Sequence, residues 1–157
     1  MKPSVYIETT VVSYYTARPS RDLIVAAHQQ TTIDWWEHAL PKFHVFVSPF
    51  VIEECEKGDS TAAILRTAAI ADFDILTVNN EIRILGDLYF KKTMLPEKAK
   101  LDAMHLAVAV FHGMNYIASW NFTHILNPIL HKSIIEINKD RGLETPFILT
   151  PEELMEG

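Results

Sequence analysis

The chain has 157 residues, 48% of them hydrophobic, and a formal net charge of −6. That is one domain's worth of material for a core, with no apolar run near the ~18 residues of a membrane-spanning helix. Cys55 stands alone, so an internal disulfide framework is excluded. The opening MKPSVYIETT lacks the apolar region of a signal peptide, and the expectation is a cytoplasmic protein. An acidic chain has no broad basic face for nucleic acid. Phosphates would be handled by a local basic patch or a metal ion, and an acidic surface also suits a basic protein partner.

In chain order, Ser4 to Ile7 reads as a short apolar strand, with Glu8-Thr9-Thr10 at its carboxyl end. Val11 to Tyr15 starts a helix or turn. Ser20 is the expected N-cap of a helix from Arg21 to Leu40. Phe43 to Val47 forms a second strand. Ser48-Pro49 then starts a helix to about Lys57, with serine as cap and proline in the first turn. Asp59 or Ser60 caps a further helix to about Ala71, Asp74 to Val78 reads as a third strand, and Asn80 to Phe90 as another helix. Leu95-Pro96-Glu97 opens the helix through Leu101 to His112, which Gly113 ends. Tyr116-Ile117-Ala118 is a buried strand, Pro128 to Asp140 a late helix, Phe147-Ile148-Leu149 a last strand, and Thr150 opens a terminal helical turn. Strands alternating with helices imply an α/β fold: a parallel sheet with helices on both faces, three layers in all. No linker or repeat divides the chain, so a single domain spans residues 1–157.

The stretch from Lys100 to Ile125 carries the sharpest signal. Asp102 sits in an otherwise apolar helix, and Asn121 follows the Tyr116 strand directly. Burying even a neutral polar group without a partner costs about 2–7 kcal/mol, so Asp102 must be paired, solvated in a cleft or bound to a cation. In open parallel sheets, sites form at the carboxyl ends of the strands. Glu8 follows the first strand, Glu54 lies in the helix after the second, and Asp102 and Asn121 flank the fourth. Three carboxylates and an amide brought to one cleft would repel and raise one another's pKa. A divalent cation removes that conflict, and oxygen-only ligands suit Mg²⁺ or Mn²⁺. Glu53 competes with Glu54 for this role, and a Lys98 ion pair four residues back is the plain alternative for Asp102.

The blocks YIETTVVSYY, VSPFVIEE, LDAMHLAVA and IASWNFTHI, in that order, resemble the four motif blocks of PIN-domain proteins. They resemble in particular the VapC-like toxins of toxin–antitoxin pairs. The likeness runs from about Ser4 to Phe147. It implies a PIN-like α/β/α sandwich and a metal-dependent endoribonuclease, with Mg²⁺ or Mn²⁺ as cofactor and RNA as substrate. A small antitoxin and a homodimer are the implied partners. The acids of the blocks fall on Glu8, Glu54, Asp102 and Asn121, which would be both catalytic and metal-holding, and Thr10 on a small polar residue near the metal. Glu8 and Asn121 stand where the family pattern has Asp, leaving one formal negative charge fewer. Arg18, Arg21, Lys91 and Lys92 are the cations expected to meet substrate phosphates.

Three rivals remain: a PIN-like binding module with weakened catalysis, a DNA-processing nuclease, and an unrelated scaffold with a packed Asp102. His105 and His112 are seven apart, as are His124 and His131, but no tight His/Cys cluster supports zinc, and His105 reads as a packed or supporting residue. Trp35, Trp36 and Phe111 read as core or partner surface.

Overall fold

The computed structural model describes residues 1–155. Its elements run β1 (Ser4–Ile7), α1 (Thr9–Thr16), α2 (Leu23–His38), β2 (His44–Val47), α3 (Pro49–Cys55), α4 (Ser60–Ala69) and β3 (Asp74–Ile75). They continue α5 (Asn80–Lys92), α6 (Lys100–Phe111), β4 (Tyr116–Ala118), α7 (Pro128–Asp140), β5 (Phe147–Leu149) and α8 (Pro151–Met155). The five strands form one all-parallel sheet in the order β3-β2-β1-β4-β5, flanked by the helices as an α/β fold. No described helix is long and apolar enough to cross a membrane.

Local chemistry sets the boundaries. Ser48 Oγ accepts from the Phe50 and Val51 amides at the start of α3, and Asp59 accepts from Ala62 at the start of α4. Asn79 and Asn127 cap α5 and α7 in the same way. The α2 cap is Asp22 rather than Ser20, since Asp22 Oδ1 takes the Val25 amide while Ser20 Oγ takes the Asp22 amide. The third strand is two residues long instead of five. Its pairing ends where the Leu76 amide meets the Val47 carbonyl, and three residues later Asn79 is already capping α5.

β1 occupies the centre of the sheet, and Val5, Tyr6 and Ile7 are wholly buried. In α6 residues 103–110 are buried without interruption, as expected of a helix apolar on every side. It forms an antiparallel hairpin with α5. A Cβ on Gly86 would lie 2.5 Å from Met104 Sδ, so the Met104 side chain fills the space that the glycine leaves between the helices. At the end of the hairpin where α6 begins, Lys100 lies over the Phe90 ring.

The strand order also locates the site. From β1 the chain winds outward through β2 and β3, then returns to place β4 on the other side of β1. The order reverses between β1 and β4, and in open parallel sheets ligands bind outside the carboxyl ends at such a reversal. Glu8 leaves β1 there, its amide bonded to the Ala118 carbonyl at the end of β4.

Candidate functional site

Glu8 is buried, 2% exposed, in the gap between the two strand ends. Thr10 Oγ1 donates to its Oε1 at 2.5 Å and Ser119 Oγ at 2.6 Å. Those hydroxyls are themselves placed by the chain after β4, because the Trp120 amide donates to Thr10 Oγ1 and the Asn121 amide to Ser119 Oγ. Thr10, expected beside the site, therefore ties the loop after β1 to the loop after β4.

Glu54 reaches the same place from α3. Its Oε1 accepts from Thr9 Oγ1 at 2.6 Å and meets His105 Nε2 at 2.5 Å. Glu53 points away, exposed and paired with Lys57 at 3.6 Å, so of the two neighbours Glu54 is the one facing the cleft. His105 is wholly buried, and its Nδ1 meets Tyr6 Oη at 2.6 Å. Tyr6 Oη in turn lies 2.7 Å from Ser48 Oγ. Since Ser48 Oγ already accepts two amides, its own hydrogen points to Tyr6. Tyr6 then donates to His105 Nδ1 and His105 Nε2 donates to Glu54; this tautomer follows from the network. One ligand atom from each of Glu8, Glu54 and His105 lies within 4.8 Å of the other two.

Asp102 stands on the first turn of α6, half-buried, with His124 Nδ1 3.0 Å from its Oδ2. Among the described residues Lys98 makes no ion pair with it. Asn121 is committed to the local turn: its Oδ1 accepts the His124 amide at 3.0 Å. The four expected residues thus share the carboxyl edge. Asp102, however, lies outside the tight Glu8–Glu54–His105 cluster.

The charges are set unequally. Burial raises the Glu8 pKa against the nearby His105 charge and the hydroxyls of Ser119 and Thr10. Burial acts the same way on Glu54, but the bond and charge of His105, the Thr9 hydroxyl and Lys57 outweigh it and bring its pKa down. Burial also raises Asp102, against His105 and His124. On His105 burial lowers the pKa, but the bond to Glu54 and the charges of Glu54, Glu8 and Asp102 reverse it. The two neighbouring glutamates are thus pushed in opposite directions, Glu8 up and Glu54 down.

The donor set suits a divalent cation. In both glutamates the protein's own hydrogen bonds fall on Oε1, and among the described residues none falls on Oε2. Hard cations take such carboxylate oxygens. Glu8 and Glu54 could hold the ion through them, with Asp102 alongside and His105 keeping Glu54 in place from behind.

Of the expected cations, Arg18 and Arg21 are exposed in the loop before α2. Lys91 and Lys92 are exposed at the end of α5, where the hairpin turns into the Asp102 end of α6. None has a described bond into the cluster. A further cation that sequence reasoning passed over stands near the site: Arg83 lies over the Phe50 ring, 5.9 Å from its centroid, and Phe50 packs edge-on to His105. Tyr6, Ser119 and His124 were passed over as well. Two signals pointed to parts of this set. Tyr6 shares a strand face with Glu8 by two-residue alternation, and His105 is three residues from Asp102 on one helix face.

No family model matches the chain, and neither does any curated protein.

Proposed function

We propose that the protein is a metal-dependent endoribonuclease. One observation carries this reading: Glu8, Glu54 and His105 bring ligand atoms within 4.8 Å of one another at the point where the strand order reverses. When bound, Mg²⁺ or Mn²⁺ would lower the pKa of a water and offset charge on the phosphoryl oxygens.

The chain's own residues do the rest. Glu54, its pKa lowered, offers a charged oxygen at neutral pH. Thr10 and Ser119 fix the Glu8 carboxylate by one oxygen and leave the other free. The Ser48–Tyr6–His105 chain holds Glu54 from behind, as supporting partners do for ligands generally. His124 orients Asp102 through Oδ2. RNA as substrate, a small antitoxin that covers the cleft, a homodimeric assembly and a cytoplasmic location follow from the likeness to the VapC-like toxins and form part of the proposal.

A second reading, a binding module with weakened catalysis, is favoured by Asn121. Its carbonyl oxygen is committed to the His124 amide, and it brings no charge to the site. Incubation of end-labelled single-stranded RNA with the protein and Mn²⁺ separates the two. The nuclease reading expects cleavage that EDTA stops. Binding without cleavage supports the module, and a single-stranded DNA control run alongside tests the preference for RNA.

A further inference from the structure

Next to the carboxylates stands a stack of rings that the catalytic reading leaves without a task. The His28 imidazole lies parallel to the Trp120 indole, centroids 4.2 Å apart and planes 16° apart. Tyr14 stacks on the same indole at 6.0 Å and 21°. Phe122 leans against both, 6.2 Å from Trp120 and 6.1 Å from His28. Trp120 is pinned, its Nε1 donating to Thr32 Oγ1 at 2.8 Å, and it is only 5% exposed. Phe122 is 57% exposed, so the aromatic surface open to solvent is chiefly its ring.

We propose that Phe122, backed by His28 and Trp120, is a stacking subsite for one unpaired nucleobase of a single-stranded substrate. The proposal rests on the nuclease reading above and deepens it. Two observations support it. The ledge is joined to the carboxylates by the backbone itself: Trp120 donates its amide to Thr10, which donates to Glu8, and Phe122 is the residue after Asn121. A base lies one sugar away from its phosphate, so a phosphodiester at Glu8 would carry a neighbouring base towards this ledge. Charge points the same way. A chain of net charge −6 gains little from backbone electrostatics, and stacking on aromatic rings is the sequence-tolerant alternative for a single strand. A paired base has both faces covered by its neighbours in the helix, so the ledge selects strands whose bases are free.

The test uses the native chain and a short single-stranded RNA in which each base in turn is replaced by an abasic site. One abasic position is expected to raise KM about 10-fold with the wild type, the usual worth of one base–aromatic stack. In Phe122→Ala, KM for the intact strand should rise by a similar factor with kcat little changed. The same abasic substrate should then cost almost nothing more, since both changes delete one contact. Phe122→Trp should restore tight binding. Wild-type KM in Phe122→Ala, or penalties that simply multiply, would show that the ledge serves something else, such as a protein partner, while leaving the nuclease reading in place. If the wild type neither binds nor cleaves the intact strand, both ideas fail together.

Discussion

The two sides of the carboxyl edge are built differently. On the β1 side, Glu8 and Glu54 are held by hydroxyls and a buried imidazole, and the chain of bonds runs back through Tyr6 to the cap of α3. On the α6 side, Asp102 has one partly buried partner, His124, and an asparagine whose oxygen serves the local turn. The first arrangement ties its carboxylates into a continuous chain of hydrogen bonds. The second leaves a carboxylate with room to move. A divided site of this kind suits a cation gripped on one side and a substrate admitted on the other, and its two halves should fail in different ways when altered.

The largest effect is expected from removing a carboxylate. Glu8→Gln and Asp102→Asn should each lower metal-dependent RNA cleavage by at least ~100-fold, since each removes charge that helps to hold the ion. Their effects on metal-free stability should differ. Glu8→Gln keeps an acceptor for Thr10 and Ser119 while deleting a buried like charge, so urea unfolding in EDTA should show a more stable protein. Asp102→Asn should shift stability less, because the repulsion it removes is offset by the weakened pairing with His124. A clear loss of stability in Glu8→Gln would mean that its charge is part of the fold's own framework and not held ready for a cation.

Next in size is a change in the reactivity of Cys55. Its thiol is buried beside Glu54, and burial pushes its pKa up to about 11. At pH 8 the folded thiol is almost entirely protonated, whereas an unfolded one near 8.5 is partly thiolate. Alkylation by iodoacetamide should therefore proceed only through opening of α3. If Glu54 holds the ion, that opening releases it, and Mn²⁺ at a hundred times its Kd should slow labelling by up to about 100-fold. An unchanged rate would take Glu54 out of the metal's ligands. The sign with pH is also set: because the folded pKa is raised, stability is lost as pH climbs from the unfolded value towards 11.

Much of this was readable in the chain, and the failures have physical causes. Strands such as Tyr116–Ala118 and Phe147–Leu149, and the helix Pro128–Asp140, lie where apolar runs and caps place them. The carboxylates follow strand ends, which is why their common edge could be foreseen. The third strand was overestimated because Thr77 and Val78 continue a β-forming run without being paired; pairing is decided by a neighbour, and β2 offers none past Val47. The wiring of His105 was hidden for a similar reason. A histidine on an apolar helix looks the same in sequence whether it meets a leucine or a glutamate, and its partner Glu54 is 51 residues away.

A smaller contrast separates the two sides in stability alone. Tyr6→Phe deletes one oxygen but leaves His105 Nδ1 and the Ser48 hydroxyl without their shared partner in a dry interior. The expected cost is about 1–3 kcal/mol by urea unfolding in EDTA. His124→Ala on the other side removes a partner from a carboxylate that water can reach, and should cost under about 1 kcal/mol. Equal losses would show that the two sides are equally rigid and that the contrast in burial has no energetic weight.

The smallest effect concerns the substrate's phosphates, and it asks which side they cross. Arg83 is exposed, has no acidic partner among the described residues, and is steadied by the Phe50 ring that packs against His105. A guanidinium held over a ring loses less freedom when it takes up a phosphate than a lysine free in solvent, and its fork matches the phosphate oxygens. Lys91 and Lys92 lie at the Asp102 end of the α5–α6 hairpin without such support. Arg83→Ala should therefore weaken RNA binding by roughly 3-fold and flatten the dependence of log K on log salt by about one unit, the signature of one lost phosphate contact. Lys91→Ala and Lys92→Ala should each change that slope less. Arg83→Lys should recover the slope but not the full affinity, because it keeps the charge and loses the fork. A slope that falls with the lysines and not with Arg83 would place the strand along the α6 side, and the grip and the entry would then lie on the same half of the site.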